Sequence, residues 1–447
     1  MSQASVFKAY DMRGRTDNGD LNADLFQKVG NVFARMMGGD TIAVGRDCRA
    51  SSNELFDGLV EGITDAGVDV VDLGEVPTDL VYFYSGKNDV PGAIITASHN
   101  PPQYNGLKLC RAGAAPVGAE SGLQTIEEEV SAGRTGRVDQ PGTISRVNAV
   151  DDYVDHLLGI VDPKSIGALR VAVDGGNGMA GITVTRVFDR LEASLDGLYL
   201  EPDGTFPNHP ADPIQVENLR DLIALVKEGS HDLGVAFDGD ADRAFFIDER
   251  AEPVNGSAVT ALIARWMLKR HPGASIIHNL ITSRAVPELV RQAGGTPVRT
   301  RVGHSFIKAV MAETGAVFGG EHSGHYYFAD NYRADSGMLA MLILLRVVSE
   351  EGRPLSALVG EVEIYRQSGE INFEVSDPGR AMAAVEREFD DASIDRLDGL
   401  SVDAGSFWFN VRPSNTEPLV RLNVEARDQA SVDEAVARIR AVIEAAH

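Results

Sequence analysis

The chain predicts an α/β protein of several units with mixed or largely parallel sheets. Three observations lead there. Apolar runs of strand length alternate with stretches of helical periodicity along most of the chain. At 447 residues and 43% hydrophobic content, the chain is long enough for roughly three or four domains, each with its own core. Three successive stretches share one strand and helix grammar, and a fourth departs from it.

The first unit opens with Val6–Met12 and Arg13-Gly14, then a helical pattern around Leu25, Val29, Val32 and Met36. Thr41–Val44 reads as a strand, Ser52–Asp65 as a helix and Val68–Leu73 as a strand. Ala93-Ile94-Ile95 is a buried strand leading into Thr96-Ala97-Ser98-His99-Asn100-Pro101-Pro102 and then Tyr104-Asn105-Gly106. Prolines, asparagines and a glycine forbid regular structure there, so the stretch is a stiff loop carrying one serine. Lys108 follows ten residues on; a rigidly held hydroxyl near a lysine is a candidate nucleophile, and the alternative is an ordinary surface turn. Ser131–Gly142, rich in glycine and charge, reads as the exit from this unit.

The second unit starts near Ala149. Val171–Asp174 is a strand ending in Gly175-Gly176-Asn177-Gly178, with a helix from about Ala180. The glycines suit either a tight turn or a phosphate cradle, although a P-loop lysine and dinucleotide spacing are both missing. Leu233–Phe237 and Ala244–Asp248 are strands flanking Asp238-Gly-Asp240-Ala-Asp242-Arg243. Three alternating carboxylates offer oxygen-only ligands, which suit Mg²⁺ or Ca²⁺ rather than Zn²⁺; otherwise they are a solvated charge cluster. An EF-hand is the other reading, with Glu249 at loop position twelve. It is disfavoured by Arg243 where the turn needs glycine, and by strands on both flanks.

The third unit, from about Asn255 to Arg366, carries strands Ile276–Leu280 and Pro297–Thr300 and a helix Phe306–Glu313. It offers Glu321, Ser323 and His325 in one loop, a set that suits sugar hydroxyls or a structural turn. His304 precedes its helix in Val302-Gly303-His304-Ser305 and reads as a packed or capping histidine. Met338–Val348 is apolar but too short to span a bilayer, and it contains Arg346, so it is a buried helix. The last unit begins near Gly369, with strands at Ile371–Val375, Phe407–Val411 and Leu419–Val424 and a terminal helix. Arg412, Ser414, Asn415 and Thr416 lie between two of those strands, where a guanidinium with hydroxyl and backbone donors suits either a phosphate or a capped turn.

Charge and cysteine content bound the rest. Net charge is −25, which argues against nucleic acid or anionic lipid as a general partner. The two cysteines, Cys48 and Cys110, provide neither a disulfide framework nor metal spacing, so a reducing cytoplasm is the simplest location. The N-terminus carries no recognisable signal peptide.

Seven stretches occur in one order: Lys8–Gly14, Thr96–Pro101, Asn105–Lys108, Asp238–Arg243, Gly303–Ser305, Gly320–His325 and Arg412–Pro418. In this the chain resembles the α-D-phosphohexomutase family, specifically the bacterial phosphomannomutase/phosphoglucomutase branch. The resemblance implies four domains around a central cleft: residues 1–148 with the phosphoserine loop, 149–253 with the metal loop, 254–366 with the sugar loop, and a smaller α+β domain, 367–447, with a phosphate loop. It implies that Ser98 is carried as phosphoserine and, with Asp238, Asp240 and Asp242, holds one Mg²⁺ per chain. Arg412, Ser414, Asn415 and Thr416 would hold the phosphate that is not reacting; Glu321, Ser323 and His325 would face the sugar. His304 and Lys108 match positions of proton transfer or phosphate contact, and Tyr10, Arg13 and Arg243 match positions near the phosphoserine. The implied reaction interconverts hexose 6-phosphate and hexose 1-phosphate through a 1,6-bisphosphate, which also serves as activator, and the fourth domain is expected to close over the substrate. Asn415, where the glucosamine branch has glycine, favours mannose and glucose phosphates; His322 replaces a methionine of the bifunctional enzymes. The partners expected are small hexose phosphates, with neither nucleic acid nor membrane, in a monomer or homodimer. The other readings are a phosphoglucosamine mutase, a metal-dependent sugar phosphatase using Ser98, and a non-catalytic sugar-phosphate sensor.

Overall fold

The computed structural model describes residues 6–413 and 419–446, apart from the side chains of residues 304 and 305. Its first sheet is centred on Thr41–Arg46, with Asp69–Glu75 and Gly92–Ile95 parallel on either side. Tyr104–Arg111 runs antiparallel beside Gly92–Ile95, and Met12–Arg15 lies antiparallel beyond it. The second sheet repeats this plan. Arg170–Asp174 is central, Ser194–Leu198 and Leu233–Phe237 flank it in parallel, and Ala244–Asp248 returns antiparallel. In the third, Ser275–Asn279 is flanked by Thr296–Thr300 and Phe318–Gly320, and Tyr326–Phe328 returns antiparallel.

The grammar shared by three units in the sequence is therefore a shared topology. In each unit the third parallel strand turns back into an antiparallel neighbour. The turns are residues 96–103, 238–243 and 321–325, so the candidate serine, aspartate and sugar loops occupy equivalent places in three equivalent sheets.

The fourth sheet is antiparallel throughout, in the order Arg366–Glu374, Leu419–Ala426, Phe407–Pro413, Leu400–Asp403, Ser393–Asp395. Two helices, Pro378–Glu388 and Gln429–Ala445, pack against it around Phe373, Val385, Phe409, Leu422 and Ile439. That core is separate. The first three units instead share one continuous apolar cluster, running through Leu80 and Ile94, Val173 and Val235, and Ile276 and Leu342. The shared cluster fixes those three units relative to one another, and the fourth is attached through polar contacts. Asn255 donates to Gln367 at 2.7 Å, and the Arg284 N–H donates to Glu425 at 2.9 Å.

The apolar run around Met338 is the buried helix Gly337–Glu351, capped by the Ser336 hydroxyl, which accepts from the Leu339 N–H at 3.1 Å. Its Arg346 leaves the apolar face to donate to the Val161 carbonyl at 2.7 Å. No described helix is long and apolar enough to cross a membrane. One boundary differs from the sequence reading. Ser131–Gly142 is not the exit from the first unit, because Ile144–Arg146 returns to pair in parallel with Asp69–Glu75. A three-residue edge strand with every residue exposed carries no apolar pattern for the sequence to show.

His278, on the central strand of the third unit, is buried, with Nδ1 3.0 Å from the Asn279 carbonyl. Burial pushes its pKa down to about 4, so it is neutral in the fold. The unfolded chain takes up this proton near pH ~6.5, so the stability present above that value is lost as pH falls toward 4. Between about pH 7.5 and pH 5 this amounts to about 2 kcal/mol. Urea unfolding of His278→Gln should show a correspondingly shallower acid loss than the unsubstituted protein.

Candidate active site

The serine loop is held open by arginines. Ser98 has φ of 51°, the left-handed region that costs a non-glycine residue roughly 1–2 kcal/mol. Its N–H donates to Thr96 Oγ1 at 2.9 Å. Arg49, fully buried and paired with Asp47 at 3.0 Å, donates to the carbonyls of Ser98 (2.8 Å), Asn100 (2.6 Å), Pro101 (2.7 Å) and Tyr104 (3.1 Å). Arg13 adds bonds to the Ala97 carbonyl at 2.9 Å and to Asn100 Oδ1 at 2.6 Å, and is paired with Asp11. One planar donor group serving four carbonyls fixes a loop that cannot make ladder hydrogen bonds.

The aspartate loop packs directly onto it. A Cβ on Gly239 would stand 2.4 Å from the Ser98 carbonyl oxygen, and one on Gly178 would stand 2.6 Å from the Gly239 carbonyl oxygen. The glycine run Gly175–Gly178 is thus a tight turn supporting the aspartate loop, with the Met179 N–H donating to the Gly239 carbonyl at 2.9 Å. The backbone approach brings Ser98 Oγ to 2.7 Å from Asp238 Oδ2. Arg243 Nη2 donates to the same hydroxyl at 2.9 Å, and its Nε donates to Asp238 at 2.8 Å. His99 Nδ1 lies 3.3 Å from Ser98 Oγ.

Asp238, Asp240 and Asp242 are all buried, which removes the solvated-cluster reading. Their flanks are strands, which removes the EF-hand. Lys108 Nζ sits between Asp240 (2.7 Å) and Asp242 (2.5 Å), and Thr78 Oγ1 donates to Asp240 at 2.6 Å. Burial outweighs Arg243 and drives the Asp238 carboxyl up to about 8. For Asp240, burial is overcome by Lys108 and the hydroxyl of Thr78, and the carboxyl stays ionised well below the usual range. Lys108, despite burial, is held protonated by Asp240 and Asp242. Its amine makes no hydrogen bond to Ser98 among those described.

The third loop joins through backbone and ring. Arg243 and His325 form an antiparallel bridge, and the Ala244 N–H donates to the Gly324 carbonyl at 3.1 Å. Glu321 accepts from Tyr327 OH (3.0 Å), Asn279 Nδ2 (3.2 Å) and Ser323 Oγ (3.2 Å). The His325 ring spans the two loops, with Nδ1 3.2 Å from Ser323 Oγ and Nε2 3.7 Å from Asp242 Oδ1. Tyr10 crosses from the first unit to donate to the Val302 carbonyl at 3.0 Å.

A cavity of about 930 Å³ opens between the second, third and fourth units, with Tyr10, His322, Ser323, Glu370 and Arg412 among its walls. Ser98 and the three aspartates are buried and do not line it. Arg412 Nη2 is 2.8 Å from Glu370. Ser414, Asn415 and Thr416 and the side chain of His304 lie outside the described residues; the backbone of His304 begins the helix His304–Thr314.

The aspartates fit a divalent cation. Their ligand oxygens lie within 4.8 Å of one another. Asp240 Oδ1 and Asp242 Oδ1 are buried with no hydrogen-bond partner, two hard oxygen donors available to a cation. Sequence reading missed Arg49, Thr78 and His99 as parts of this site. Asp47-Cys48-Arg49 at a strand end is a visible charge pair, but which carbonyls it serves depends on the loop's path. His99 lay within the quoted motif and carried no separate signal.

Family models described as phosphoglucomutase/phosphomannomutase α/β/α domains I, II and III match residues 4–137, 151–252 and 255–365, and the C-terminal domain matches 370–442. A phosphomannomutase of Salmonella montevideo is 39% identical over 446 residues, covering 97% of this chain and 98% of that protein. A protein of Xanthomonas campestris pv. campestris strain B100 named for phosphohexose mutases is 39% identical over 433 residues, covering 96% of each. The crystal structure of a phosphoglucomutase/phosphomannomutase family protein from Burkholderia thailandensis superposes with a TM-score of 0.89 at 34% identity, covering 100% of this chain and 98% of that one.

The close approach at Gly239 is testable without assuming a reaction. Gly239→Ala should lower stability by about 1–3 kcal/mol in urea unfolding and lengthen the Ser98–Asp238 contact in a crystal structure. Gly136→Ala, at an exposed position where a Cβ meets nothing within 4 Å, should do neither.

Proposed function

The chain belongs to the phosphoglucomutase/phosphomannomutase family, and on that premise we propose that it interconverts the 6-phosphate and 1-phosphate of mannose, glucose or both through phosphorylated Ser98 and a hexose 1,6-bisphosphate. Members of this family are isomerases that act by intramolecular phosphoryl transfer. The observation that carries the reading is Ser98 Oγ, buried and held between Asp238 at 2.7 Å and Arg243 at 2.9 Å, beside two carboxylates with unsatisfied oxygens.

Phosphorylated Ser98 gives its phosphoryl group to a sugar hydroxyl. The bond from Ser98 Oγ to phosphorus breaks, the bond from the sugar oxygen forms, and the hydroxyl proton passes to a base. Arg243, already on Ser98 Oγ, neutralises charge on the leaving oxygen and the equatorial oxygens. Arg13 and Arg49 keep the loop from recoiling. Lys108 is paired with Asp240 and Asp242, and Lys108 and His304 are the two candidates for the base. Asp238, Asp240, Asp242 and the phosphorylated Ser98 would hold Mg²⁺, which when bound supplies Lewis-acid neutralisation of the phosphoryl oxygens.

Glu321, Ser323 and His325 take the sugar hydroxyls, and Arg412 with Ser414, Asn415 and Thr416 takes the distal phosphate. Because the sugar grip and the phosphate grip sit in different units, the bisphosphate can turn end for end and bind in either sense. Its second phosphate then returns to Ser98. Water must be excluded or the phosphoserine hydrolyses. The separate core and polar attachment of the fourth unit suit a domain that closes over the cleft.

Ser98→Ala should fold normally and lose isomerisation entirely. Intact-mass measurement after hexose 1,6-bisphosphate treatment should add one phosphoryl group to the unsubstituted protein and none to the variant. Undiminished turnover in Ser98→Ala removes the mechanism. Magnesium should raise the thermal midpoint of the unsubstituted protein by mass action, and Asp240→Asn should abolish that shift.

A further inference from the structure

Within the loop Glu321–His325, the residues that line the 930 Å³ cavity are His322 and Ser323. Glu321 is buried, and its carboxylate already accepts from Tyr327, Asn279 and Ser323. The Glu321 N–H donates to the His325 carbonyl at 3.0 Å, and the Gly324 N–H donates to the Glu321 carbonyl at 3.2 Å, so His322 and Ser323 form the corner of a tight turn. That corner is pinned through its backbone. A Cβ on Gly256, the first residue of the helix Gly256–Arg270, would stand 2.5 Å from the His322 carbonyl oxygen. The His322 ring makes no hydrogen bond among the described residues. Its Nδ1 is buried without a partner, and Nε2 is the nitrogen left open to the cavity. Burial, helped by Arg412 and His325 and opposed by Glu370, pushes the His322 pKa down to about 4, so the ring is neutral. A buried N–H without an acceptor is rarer in folded proteins than an under-satisfied acceptor, which assigns the one ring proton to Nε2.

Resting on the reading that this loop faces the sugar, we infer that His322 is a specificity-determining residue: its Nε2–H donates to one hydroxyl oxygen of the bound hexose. A neutral donor matches a neutral hydroxyl, whereas a phosphate draws the charged donors of the cleft, Arg412 among them. The turn and the Gly256 contact fix where the donor stands before substrate arrives, so little ordering is lost on binding. The hydroxyl on carbon 1 of a hexose 6-phosphate is the one that reacts, which leaves those on carbons 2, 3 and 4 for recognition. A sugar lacking the matched hydroxyl would close the cleft over an N–H with no acceptor, and an unpaired polar group of that kind is what makes a hydrogen-bonding site reject a near isostere.

The probes are mannose 6-phosphate and its 2-deoxy, 3-deoxy and 4-deoxy analogues, each titrated calorimetrically into the full chain. His322→Leu removes the donor, and His322→Gln replaces it with an amide N–H of similar reach. Mannose 6-phosphate should bind His322→Leu about three- to ten-fold more weakly than the unsubstituted protein, and His322→Gln should recover most of that loss. One deoxy analogue should bind His322→Leu and the unsubstituted protein equally, while the other two lose as much as the parent sugar. If His322→Leu does not fold, His322→Ala carries the same comparison. Equal loss for all four sugars places the ring on the phosphate or in a structural role, and no loss for any of them leaves it idle. Either result overturns the inference, and continued isomerisation by the unsubstituted protein then leaves the proposed function standing. If mannose 6-phosphate and glucose 6-phosphate both fail to bind the unsubstituted protein, the proposed function falls as well.

Discussion

Three carboxylates buried in one six-residue loop are tolerated only with matching cations, and that constraint organises this molecule. Asp238, Asp240 and Asp242 take Arg243 from their own loop and Lys108 from the first unit. The serine loop and the aspartate loop cannot separate without exposing unpaired buried charge. Ser98 Oγ is drawn into the same network through Asp238 and Arg243, so its position is fixed by electrostatics as well as by the loop's own geometry. Asp240 and Asp242 each keep one buried oxygen without a hydrogen-bond partner, which is the environment a divalent cation completes.

The geometry that permits this is repeated three times. Each of the first three sheets ends its parallel run in a turn to an antiparallel strand, and the three turns stack in chain order. Serine loop and aspartate loop meet at Gly239, and aspartate loop and sugar loop meet at the Arg243–His325 bridge. One continuous apolar core under the three units makes that stack rigid. The fourth unit brings its own core and an antiparallel sheet, and meets the third through polar contacts, Asn255 to Gln367 and the Arg284 N–H to Glu425. A rigid side holding Ser98 and the aspartates and a separately folded side holding Arg412 is an arrangement in which one half can move while the other holds its distances.

Much of the fold was legible in the sequence because strands and helices with one buried face carry their period in the residue order. Ser52–Asp65, the strand before Ser98 and the buried helix around Met338 are of this kind. The edge strand Ile144–Arg146 was not, because an exposed strand of three residues has no face to bury. The loops were legible as chemistry: the aspartate spacing, the serine among prolines and asparagines, and Arg412 among hydroxyl residues. What held them in place was not. Arg49 and Thr78 are ordinary residues in sequence, and they act on carbonyls and a carboxylate that only the folded path brings near.

The sequence by itself determined the inventory and order of the units and the candidate reactive groups, because periodicity and side-chain chemistry are local properties. Only the tertiary structure decided that the three loops occupy equivalent turns. It also decided that Gly175–Gly178 buttresses the aspartates instead of cradling an anion, that Lys108 is an ion-pair partner of Asp240 and Asp242, and that the backbone of His322 packs on Gly256. Each of these is a contact between strands or loops far apart in the chain. Their partners are chosen by sheet register and backbone approach, which no local pattern of residues encodes.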